Sequence, residues 1–527
     1  MTPPTAVPRF TTLVDYLDHY AATTPDADAV WHEGTTLSYR ELASRVEALA
    51  NTLVALGVTR GERVAVLSTP RPEYLITLLA TFRVGAVWVG LNPKYTLSEL
   101  RHVVGNARPS ILLSLDAADG REFGAEIVGL AAEVGARGSY RIGPTTVPSP
   151  LSDLPSAPAA PPPAHTPTQG DTFPALAADD AATIVYTSGS SGAPKGAVLS
   201  HGGLVYASRV EAEVLGIPAP RVPCNLPINH VACIADLTGT TLAAGGMLAL
   251  IEQFDPARLL ALIPELGLTN LMTVPTVLQL IAAEPEFAAT DLSTLQRVVW
   301  GGAPLPLSVV RAYRARGITL MTVYGMTETI ASITFTREDE TDETLAETVG
   351  RFDPGMEVRL ADDAGTPASP GEQGEVQVRH SGLFLEYFEN PEGTAAAYTA
   401  DGWFKTGDVG TLTADGSLRL VGRMSDMIKS GGYNVYPREI ELRLEARDDV
   451  ALAAVIGRPD DTFGEVGVAY VVPATSQPPS PEELRSYARK HLANYKVPKE
   501  FVLIDELPLL PVGKVDKQQL RRRAQHP

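Results

Sequence analysis

Cysteine is scarce in this chain, and no metal-binding spacing is recognisable. Among 527 residues only Cys224 and Cys233 occur, too few for the disulfide framework of a small secreted protein. Neither a CxxC nor an HExxH spacing, which would indicate a zinc site, is present. We therefore expect two buried, reduced thiols rather than a disulfide scaffold or a zinc centre.

Positive charge and long apolar runs are scarce as well. The 43 Lys and Arg stand against 62 Asp and Glu, a formal net charge of −19, which disfavours binding to nucleic acid or to anionic membranes. A nucleotide ligand stays compatible, because a single pocket can be basic in an acidic protein. The N-terminus lacks the pattern of a signal peptide, and no uncharged apolar run is long enough to span a bilayer. We expect a cytoplasmic protein without an integral membrane segment.

Alternation of helix-like and strand-like segments dominates the first half of the chain. The spacing of apolar residues predicts helices over 37–57 and 73–86, and strands over 63–68 and 87–92. Such βα alternation predicts an α/β fold with a mostly parallel sheet covered on both faces. The Pro-, Ala- and Ser-rich stretch 143–170 is predicted to be an exposed excursion.

The texture of the sequence changes twice in the second half. After about residue 335, short strands with Gly-rich turns predict a small antiparallel or barrel-like β unit. The last hundred residues then predict a compact, mobile α+β module. Placing the boundary near Arg423 gives a large domain at 1–423 and a small domain at 424–527.

A glycine- and hydroxyl-rich loop follows the strand predicted at 182–187. Glycines let backbone N–H groups approach an anion, and a lysine adds positive charge. We therefore predict a polyphosphate-binding loop, although the GxxxxGK[ST] pattern of a P-loop is absent. The alternative is a flexible Ser/Gly linker. The residues of the predicted loop are Thr187, Ser188, Gly189, Ser190, Ser191, Gly192 and Lys195.

This loop is the first of six segments that occur in the order and approximate spacing of one family. The others are WGGAPL (300–305), VYGMTET (323–329), GWFKTGD (402–408), GRMSDMIKSGGYNVYPREIE (422–441) and PVGKVDK (511–517). On these residues the chain resembles the adenylate-forming (ANL) enzymes: acyl-CoA synthetases, non-ribosomal adenylation domains and luciferases. The resemblance implies that a carboxylate attacks the α-phosphate of ATP, releasing pyrophosphate, and that a thiol then displaces AMP. ATP, Mg²⁺ and CoA are the implied small-molecule partners.

The resemblance implies roles for residues in the second and third segments. Tyr324 would stack on adenine, Thr327 would bind the α-phosphate, and Glu328 would hold Mg²⁺. The alternative for Thr327 and Glu328 is that they cap the next helix. The remaining residues implied around the nucleotide are Gly301, Gly302, Ala303, Pro304, Gly325 and Met326.

The later segments are implied to complete the two half-reactions. Asp408 would accept hydrogen bonds from the ribose hydroxyls, with Arg423 nearby, and Lys514 would bridge the substrate carboxylate and the α-phosphate. Taken alone, these residues would be interpreted as a turn and a solvated loop. Ser425 stands at the implied hinge, where Asp or Lys is usual in the family.

The glycine-rich face after the hinge is implied to line the tunnel for the pantetheine arm of CoA. Its residues are Lys429, Ser430, Gly431 and Gly432. The alternative is a tight turn before the helix predicted at PREIE. The KSGGYNVYPREIE sequence resembles CoA ligases more than carrier-coupled domains, and no carrier domain follows Lys514.

The acyl substrate is implied to contact His230, Val231 and Ala331. Relatives that activate amino acids place an aspartate where His230 stands, so we expect a fatty, aromatic or cyclic acid without an α-amino group. A satisfied core histidine is the alternative.

The leading hypothesis is an acid–thiol ligase that forms acyl-CoA. A stand-alone enzyme that loads an acyl carrier protein and a non-ligase nucleotide-binding or luminescent protein are the rivals, and a homodimer is compatible with the resemblance.

Overall fold

The structure, a computed structural model, describes residues 7–143, 149–150, 173–187, 194–362, 365–369, 371–475, 477–508 and 515–525. The chain forms two compact units. The first consists of Met1–Glu340 and His380–Ala396, and the second of Thr341–Arg379 and Ala397–Pro527. The domain boundary predicted near Arg423 falls inside the second unit and stays a prediction.

The helices and strands in the described part of the chain follow one another as βα repeats and later as antiparallel strands. The helices are α1 Leu13–Thr23, α2 Tyr39–Ala55, α3 Pro72–Val84, α4 Leu97–Ala107, α5 Gly124–Glu133, α6 His201–Leu215, α7 Thr240–Ala243, α8 Pro256–Leu266, α9 Pro275–Ala282, α10 Leu307–Arg314, α11 Asp342–Glu347, α12 Pro391–Ala397, α13 Pro437–Glu445, α14 Pro481–His491 and α15 Lys517–Gln525. The strands are β1 Asp28–His32, β2 Thr35–Ser38, β3 Arg63–Leu67, β4 Val87–Leu91, β5 Ile111–Ser114, β6 Ala117–Ala118, β7 Arg121–Glu122, β8 Gly138–Arg141, β9 Ser149–Pro150, β10 Ala181–Thr187, β11 Lys195–Ser200, β12 Arg221–Cys224, β13 Met247–Leu250, β14 Asn270–Thr273, β15 Arg297–Gly301, β16 Thr319–Met326, β17 Ala331–Phe335, β18 Arg351–Phe352, β19 Glu357–Ala361, β20 Gly374–Arg379, β21 Glu386–Tyr387, β22 Phe404–Leu412, β23 Leu418–Arg423, β24 Ile428–Ser430, β25 Tyr433–Val435, β26 Val450–Asp460, β27 Gly464–Pro473 and β28 Glu500–Leu503.

Local sequence signals account for the ends of the early helices. The side chain of Ser38 accepts a hydrogen bond from the backbone of Glu41, whose carboxylate accepts one from the backbone of Ser38. This capping box starts α2 where the helical pattern begins. Helix α3 starts at Pro72 and ends at Val84, and the next residue, Gly85, has a φ of 77°, a conformation that glycine adopts at low cost. The predicted helices and strands of this region are confirmed.

The largest sheet belongs to the first unit and has the order β21-β11-β10-β4-β3-β5-β8-β9. Its centre, from β10 to β8, is parallel, and both edges are antiparallel. Strand β4 is buried along its whole length, and apolar residues of α4 and α5 pack on the sheet. The predicted α/β fold is therefore confirmed.

Two further sheets of the first unit have the orders β12-β13-β1-β2 and β14-β15-β16-β17. In the second of these, β14, β15 and β16 are parallel and β17 is antiparallel. Strands β10, β15 and β16 each lead, at their carboxyl ends, into one of the predicted ATP-site segments. Loops at the carboxyl ends of such strands are where α/β proteins commonly bind ligands.

The second unit contains the antiparallel sheet β19-β20-β22-β23. Its other sheet has the order β25-β24-β27-β26, with β28 added parallel to β27. Helices α13 and α14 bury Ile440, Leu444 and Leu484 on this second sheet. The predicted β unit and α+β module are both present.

Two other expectations can be compared with the structure. Cys224 and Cys233 are buried and free, with their Sγ atoms 3.5 Å apart. Within the described ranges, no helix has the length and apolarity that a bilayer crossing would require. The predicted excursion at 143–170 lies almost wholly outside the described residues.

Candidate active site

The predicted phosphate loop lies between two antiparallel strands of the first unit. Thr187 ends β10 and pairs with Lys195 at the start of β11. Gly196 has no room for a side chain, because a Cβ there would lie 2.7 Å from Ile184. Ser188, Gly189, Ser190, Ser191 and Gly192 lie outside the described residues. The two ends of the loop, one of them a lysine, are thus fixed in the sheet.

The GGAP segment follows the neighbouring strand β15. Gly302 has a φ of 82°, a conformation that favours glycine, and a Cβ at Gly301 would come within 3.2 Å of the backbone of β16. Gly302, Ala303 and Pro304 are exposed. The backbone therefore favours glycine at positions 301 and 302, and the contact of the GGAP segment with adenine stays a prediction.

The VYGMTET segment forms the end of β16 and a sharp reversal of the chain. Thr327–Thr329 is a single 3₁₀ turn that leads directly into β17, so the alternative that Thr327 and Glu328 cap a following helix is wrong. Thr327 and Glu328 are 8% and 5% exposed. Tyr324 is also buried, whereas Gly325 and Met326 are half-buried.

Backbone strain marks the residue after this turn. Ile330 has a φ of 51°, a left-handed conformation that is unusual for a β-branched residue. Its side chain is completely buried, so packing holds a conformation that the backbone alone would avoid. Packing therefore holds the turn that carries Glu328.

Tyr387, which the sequence did not single out, connects two predicted site residues. Its hydroxyl donates a 2.7 Å hydrogen bond to Oε1 of Glu328. Its ring lies under Lys195, whose Nζ is 5.1 Å from the ring centroid, within cation–π range. Tyr387 lies on β21, which pairs with β11. One tyrosine therefore contacts both the candidate magnesium ligand and the candidate phosphate-binding cation.

The predicted acyl residues lie around an unusual helix. His230 and Val231 precede a π-helix at Ala232–Gly239, and the backbone N–H of Ala232 donates to Nδ1 of His230. The π-helix packs against α6 and β17, and Ala331 is the first residue of β17. Because π-helices are rare and frequently occur at functional sites, this element is a reasonable wall for a substrate pocket.

Two carboxyl groups meet between the same three elements. Glu211 on α6 and Asp236 on the π-helix are hydrogen-bonded to each other, and the Thr240 hydroxyl donates to Glu211 at 3.0 Å. Burial raises the pKa of both carboxyl groups, that of Asp236 well above its usual range, with a further increase caused by Glu211. Because two adjacent buried carboxylates cannot both ionise cheaply, the pair shares a proton.

In the second unit, the predicted ribose-binding pair is brought together. Asp408 on β22 lies opposite Arg423 on β23, and Nε of Arg423 donates to the carboxylate at 2.9 Å. The Asp408 side chain is 7% exposed and that of Arg423 is 53% exposed. Gly407, with a φ of 72°, forms the bulge that precedes Asp408.

The predicted CoA-binding residues of the second unit form a hairpin between β24 and β25. Gly431 and Gly432 are its turn residues, with φ values of 59° and 84°, as expected for a type I′ turn. Lys429 is exposed and Ser430 is buried. The turn interpretation is therefore correct, and it does not conflict with a binding role.

Exposed aromatic rings and lysines surround this hairpin, and none of them was predicted. Tyr433 and Tyr495 stack at 4.3 Å with 18° between their planes. Phe463 lies beside Gly431, and Nζ of Lys499 is 4.8 Å from its ring. Tyr433 is 56% exposed, Tyr495 is 40% exposed and Phe463 is 41% exposed. Flat exposed rings next to ammonium groups suit an adenine base and its phosphates.

The remaining predicted residues of the C-terminal region receive little structural support. Ser425 lies in an exposed 3₁₀ turn, Met424–Asp426, whose Asp426 forms an ion pair with Arg521. The hinge role of Ser425 stays a prediction. Lys514 lies outside the described residues, so its role rests on the resemblance alone.

The arrangement in the first unit suits phosphate chemistry assisted by one carboxylate. Among the described residues, no cluster of three or more His, Cys, Asp or Glu side chains could hold a metal by itself. Mg²⁺ prefers one or two carboxylates together with substrate phosphates, and the buried Glu328 fits that requirement. Magnesium is therefore compatible with the residues present, and Glu328 is the one that would hold it.

Separation along the chain explains which residues the sequence did not reveal. Tyr387 is 59 residues from Glu328, and its segment contains no catalytic pattern. Aromatic residues next to lysines, as in Tyr495–Lys496, were the available signal for the second unit. In the sequence, Glu211 and Asp236 carry no pattern that indicates a pair, because only the fold brings them together.

Comparison with known proteins agrees with this geometry. The AMP-binding enzyme family model matches residues 17–388, and that of the AMP-binding enzyme C-terminal domain matches 439–514. Feruloyl-CoA synthase of Amycolatopsis sp is 37% identical over 95% of this chain and 97% of its own. Indoleacetate–CoA ligase of Aromatoleum aromaticum is 33% identical over 97% of this chain and 98% of its own. ATP-bound MatB from Rhodopseudomonas palustris superposes with a TM-score of 0.87 at 32% identity, over 98% of this chain and 99% of MatB. Because the family model matches most of the chain and these relatives cover nearly all of it, the chain belongs to the AMP-binding enzyme family.

Proposed function

We propose that this protein is an ATP-dependent carboxylate–CoA ligase that forms acyl-CoA through an acyl-adenylate. The observation that carries the proposal is the rigid, buried turn that fixes Glu328, with Tyr387 connecting it to Lys195. Relatives named as CoA ligases cover nearly the whole chain. They support CoA as the thiol rather than a carrier protein.

The first half-reaction requires positive charge around the α-phosphate of ATP. The substrate carboxylate attacks that phosphorus and pyrophosphate leaves, so negative charge is redistributed over phosphate oxygens. Fixed donors placed at such a centre contribute more than mobile ones, because they need no reorganisation. We assign Thr327 and Lys195 to the phosphates and, following the resemblance, Lys514 to the reacting oxygens. A Mg²⁺ ion held by Glu328 would supply further positive charge to the phosphate oxygens.

The second half-reaction requires a grip on CoA. We propose that the hairpin at Lys429–Gly432 binds the pantetheine arm, and that Tyr495 and Phe463 stack with the adenine. Lys499 would then pair with a phosphate of the CoA nucleotide. Support comes from the exposure of these rings and from the lysine over one of them. Asp408 and Arg423 are assigned to the ribose of ATP.

The acid is proposed to be aromatic, cyclic or fatty and to lack an α-amino group. His230 stands where amino-acid-activating relatives carry an aspartate, and two relatives are named for feruloyl and indoleacetate substrates. We place His230, Val231 and Ala331 at the acyl pocket. A homodimer is a separate proposal, checked by light scattering on the purified protein.

A pyrophosphate-release screen tests the function directly. Hydroxycinnamic, indoleacetic, cyclic and short- to long-chain fatty acids are supplied with ATP, each with and without CoA. We expect acid-dependent pyrophosphate release, and AMP release that requires CoA. If AMP release occurs only with a phosphopantetheinylated carrier protein, the carrier-loading alternative replaces this proposal.

A further inference from the structure

The segment that carries Tyr387 is anchored to two parts of the first unit. The backbone N–H of Phe384 donates to the carbonyl of Glu328 at 2.9 Å, and that of Phe388 donates to the carbonyl of Gly196 at 2.7 Å. Gly196 directly follows Lys195 in the chain. Backbone hydrogen bonds therefore anchor the segment at Glu328 and next to Lys195. These are the two residues that the side chain of Tyr387 contacts.

The side chain of Tyr387 makes contacts through its hydroxyl and through its ring, and the two kinds of contact can be separated chemically. The hydroxyl donates to Glu328 at 2.7 Å, which fixes Oε1 and determines the direction of Oε2. The centroid of the ring lies 5.1 Å from the ammonium nitrogen of Lys195 and 4.9 Å from the ring centroid of Phe384, with 56° between the two ring planes. Phenylalanine at this position would keep the ring and remove the hydroxyl that donates to Glu328.

We propose that Tyr387 is a positioning residue of the adenylation step, a role that rests on the proposed function. Its hydroxyl orients the Glu328 carboxylate for Mg²⁺, and its ring holds the Lys195 ammonium group for the ATP phosphates. One side chain thereby sets the direction of the metal ligand and of a phosphate-binding cation. A carboxylate with one oxygen fixed loses less freedom when it binds a cation, so metal–nucleotide binding is favoured.

Magnesium titration of ATP binding tests the hydroxyl without relying on turnover. Calorimetry with ATP, in the absence of acid and CoA, is repeated across a range of Mg²⁺ concentrations. Because hydrogen bonds to charged groups are among the stronger ones, we expect Tyr387→Phe to need on the order of 10-fold more Mg²⁺ for half-maximal binding. ATP binding without Mg²⁺ should equal that of the wild type.

A second variant tests the ring. Tyr387→Leu should show the same Mg²⁺ requirement and, in addition, weaker ATP binding in the absence of Mg²⁺, because Lys195 is no longer held. Lys195→Met should reproduce that second loss. If Tyr387→Leu and Tyr387→Phe bind metal-free ATP equally well, the role of the ring is wrong.

Two controls separate positioning from stability. Tyr39→Phe removes an equally short hydrogen bond, 2.7 Å to the carbonyl of Gly246, from a buried tyrosine on α2. We expect a lower melting temperature and an unchanged Mg²⁺ requirement. In a Glu328→Gln background, Tyr387→Phe should add no further change, because the carboxylate that it orients is absent.

The outcomes distinguish the positioning role of Tyr387 from the proposed ligase function. A wild-type protein that binds ATP while Tyr387→Phe retains the wild-type Mg²⁺ requirement overturns the inference and leaves the ligase proposal standing. A wild-type protein that binds no ATP and releases no pyrophosphate with any acid overturns both. An additive effect of Tyr387→Phe in the Glu328→Gln background also overturns the positioning role.

Discussion

The turn that carries Glu328 in the first unit and the hairpin at Lys429–Gly432 in the second present their candidate binding groups in opposite ways. In the first unit, Thr327 and Glu328 are at least nine-tenths buried on a turn that Ile330 holds in a strained conformation. In the second unit, Tyr495 and Phe463 are about 40% exposed beside a two-glycine turn. Groups that act on reacting atoms gain from being fixed, whereas a handle for a distant part of a cosubstrate needs only a complementary surface. We therefore expect changes in the first unit to lower kcat for adenylation, and changes on the exposed rings to raise the KM for CoA.

Lys514→Ala should have the largest effect, and it is the strictest challenge to this division. Lys514 belongs to the chain of the second unit, yet the resemblance assigns it to adenylation. Losing one preorganised donor costs roughly 10²–10³ in rate, so ATP–pyrophosphate exchange should fall by about that factor. Attack of CoA on a preformed acyl-adenylate should stay mostly intact.

Lys490→Ala is the matched control for that prediction. Lys490 is exposed at the end of α14, and its removal should leave both half-reactions unchanged. Wild-type pyrophosphate exchange in Lys514→Ala would refute the role of the lysine.

Tyr495→Ala should affect only the second half-reaction. Stacking of a base on an aromatic ring contributes about 1–3 kcal/mol, so the KM for CoA should rise by roughly 5- to 150-fold. Pyrophosphate exchange without CoA should not change. Dephospho-CoA separates the contribution of Lys499 from that of the ring. Lys499→Ala should weaken the binding of CoA more than the binding of dephospho-CoA, if the phosphate that dephospho-CoA lacks is the one bound by Lys499. Equal KM values for CoA in wild type and Tyr495→Ala would remove the ring from the site.

The contrast between the units also explains what the sequence could and could not predict. The βα alternation is a local pattern, and the fold confirms it. The loop after β10 is a local pattern as well, but its phosphate-binding role stays a prediction. The π-helix at Ala232–Gly239 escaped because apolar periodicity is judged against 3.6 residues per turn. The Tyr387–Glu328 bond escaped because it joins residues that only strand pairing brings together.

Both units bury two neighbouring carboxyl groups, but they compensate them differently. In the second unit, Arg438 forms ion pairs with Glu441 and Glu445 at 3.4 and 3.0 Å. In the first unit, Glu211 and Asp236 are hydrogen-bonded to each other, and Glu211 also accepts from the Thr240 hydroxyl and the Ser332 backbone N–H. We therefore expect removal of a charge to have opposite consequences in the two places.

For the first pair, folding raises the pKa of both carboxyl groups from usual values of 4.5 for Glu211 and 3.8 for Asp236. The folded protein therefore holds a proton that the unfolded chain releases above these values. The stability linked to this proton is fully present below them and is lost as the pH rises towards the raised pKa values.

The resulting prediction concerns the free energy of unfolding near pH 5 and near pH 8. As the pH rises from 5 to 8, the free energy of unfolding of Asp236→Asn should increase relative to that of the wild type by on the order of 1 kcal/mol. Glu445→Gln should instead destabilise the protein, because Arg438 loses a hydrogen-bonded partner. We expect a loss of about 1–3 kcal/mol near pH 5 and a smaller loss near pH 8, because burial also raises the pKa of Glu445. Urea unfolding at the two pH values measures both effects. A pH-independent difference between Asp236→Asn and wild type would contradict the shared proton.

The smallest effect expected comes from adding one methyl group to two exposed glycines. A Cβ at Gly432 or at Gly129 meets nothing within 4 Å, so any change in stability arises from the backbone. Gly432 has a φ of 84°, and Gly432→Ala should cost about 1 kcal/mol. Gly129 lies inside α5, where Gly129→Ala should add about 0.5–1 kcal/mol. Chemical denaturation measures the two opposite signs, and pyrophosphate exchange should be unchanged in both variants. A neutral Gly432→Ala variant with an unchanged KM for CoA would show that the hairpin at Lys429–Gly432 does not depend on its left-handed turn.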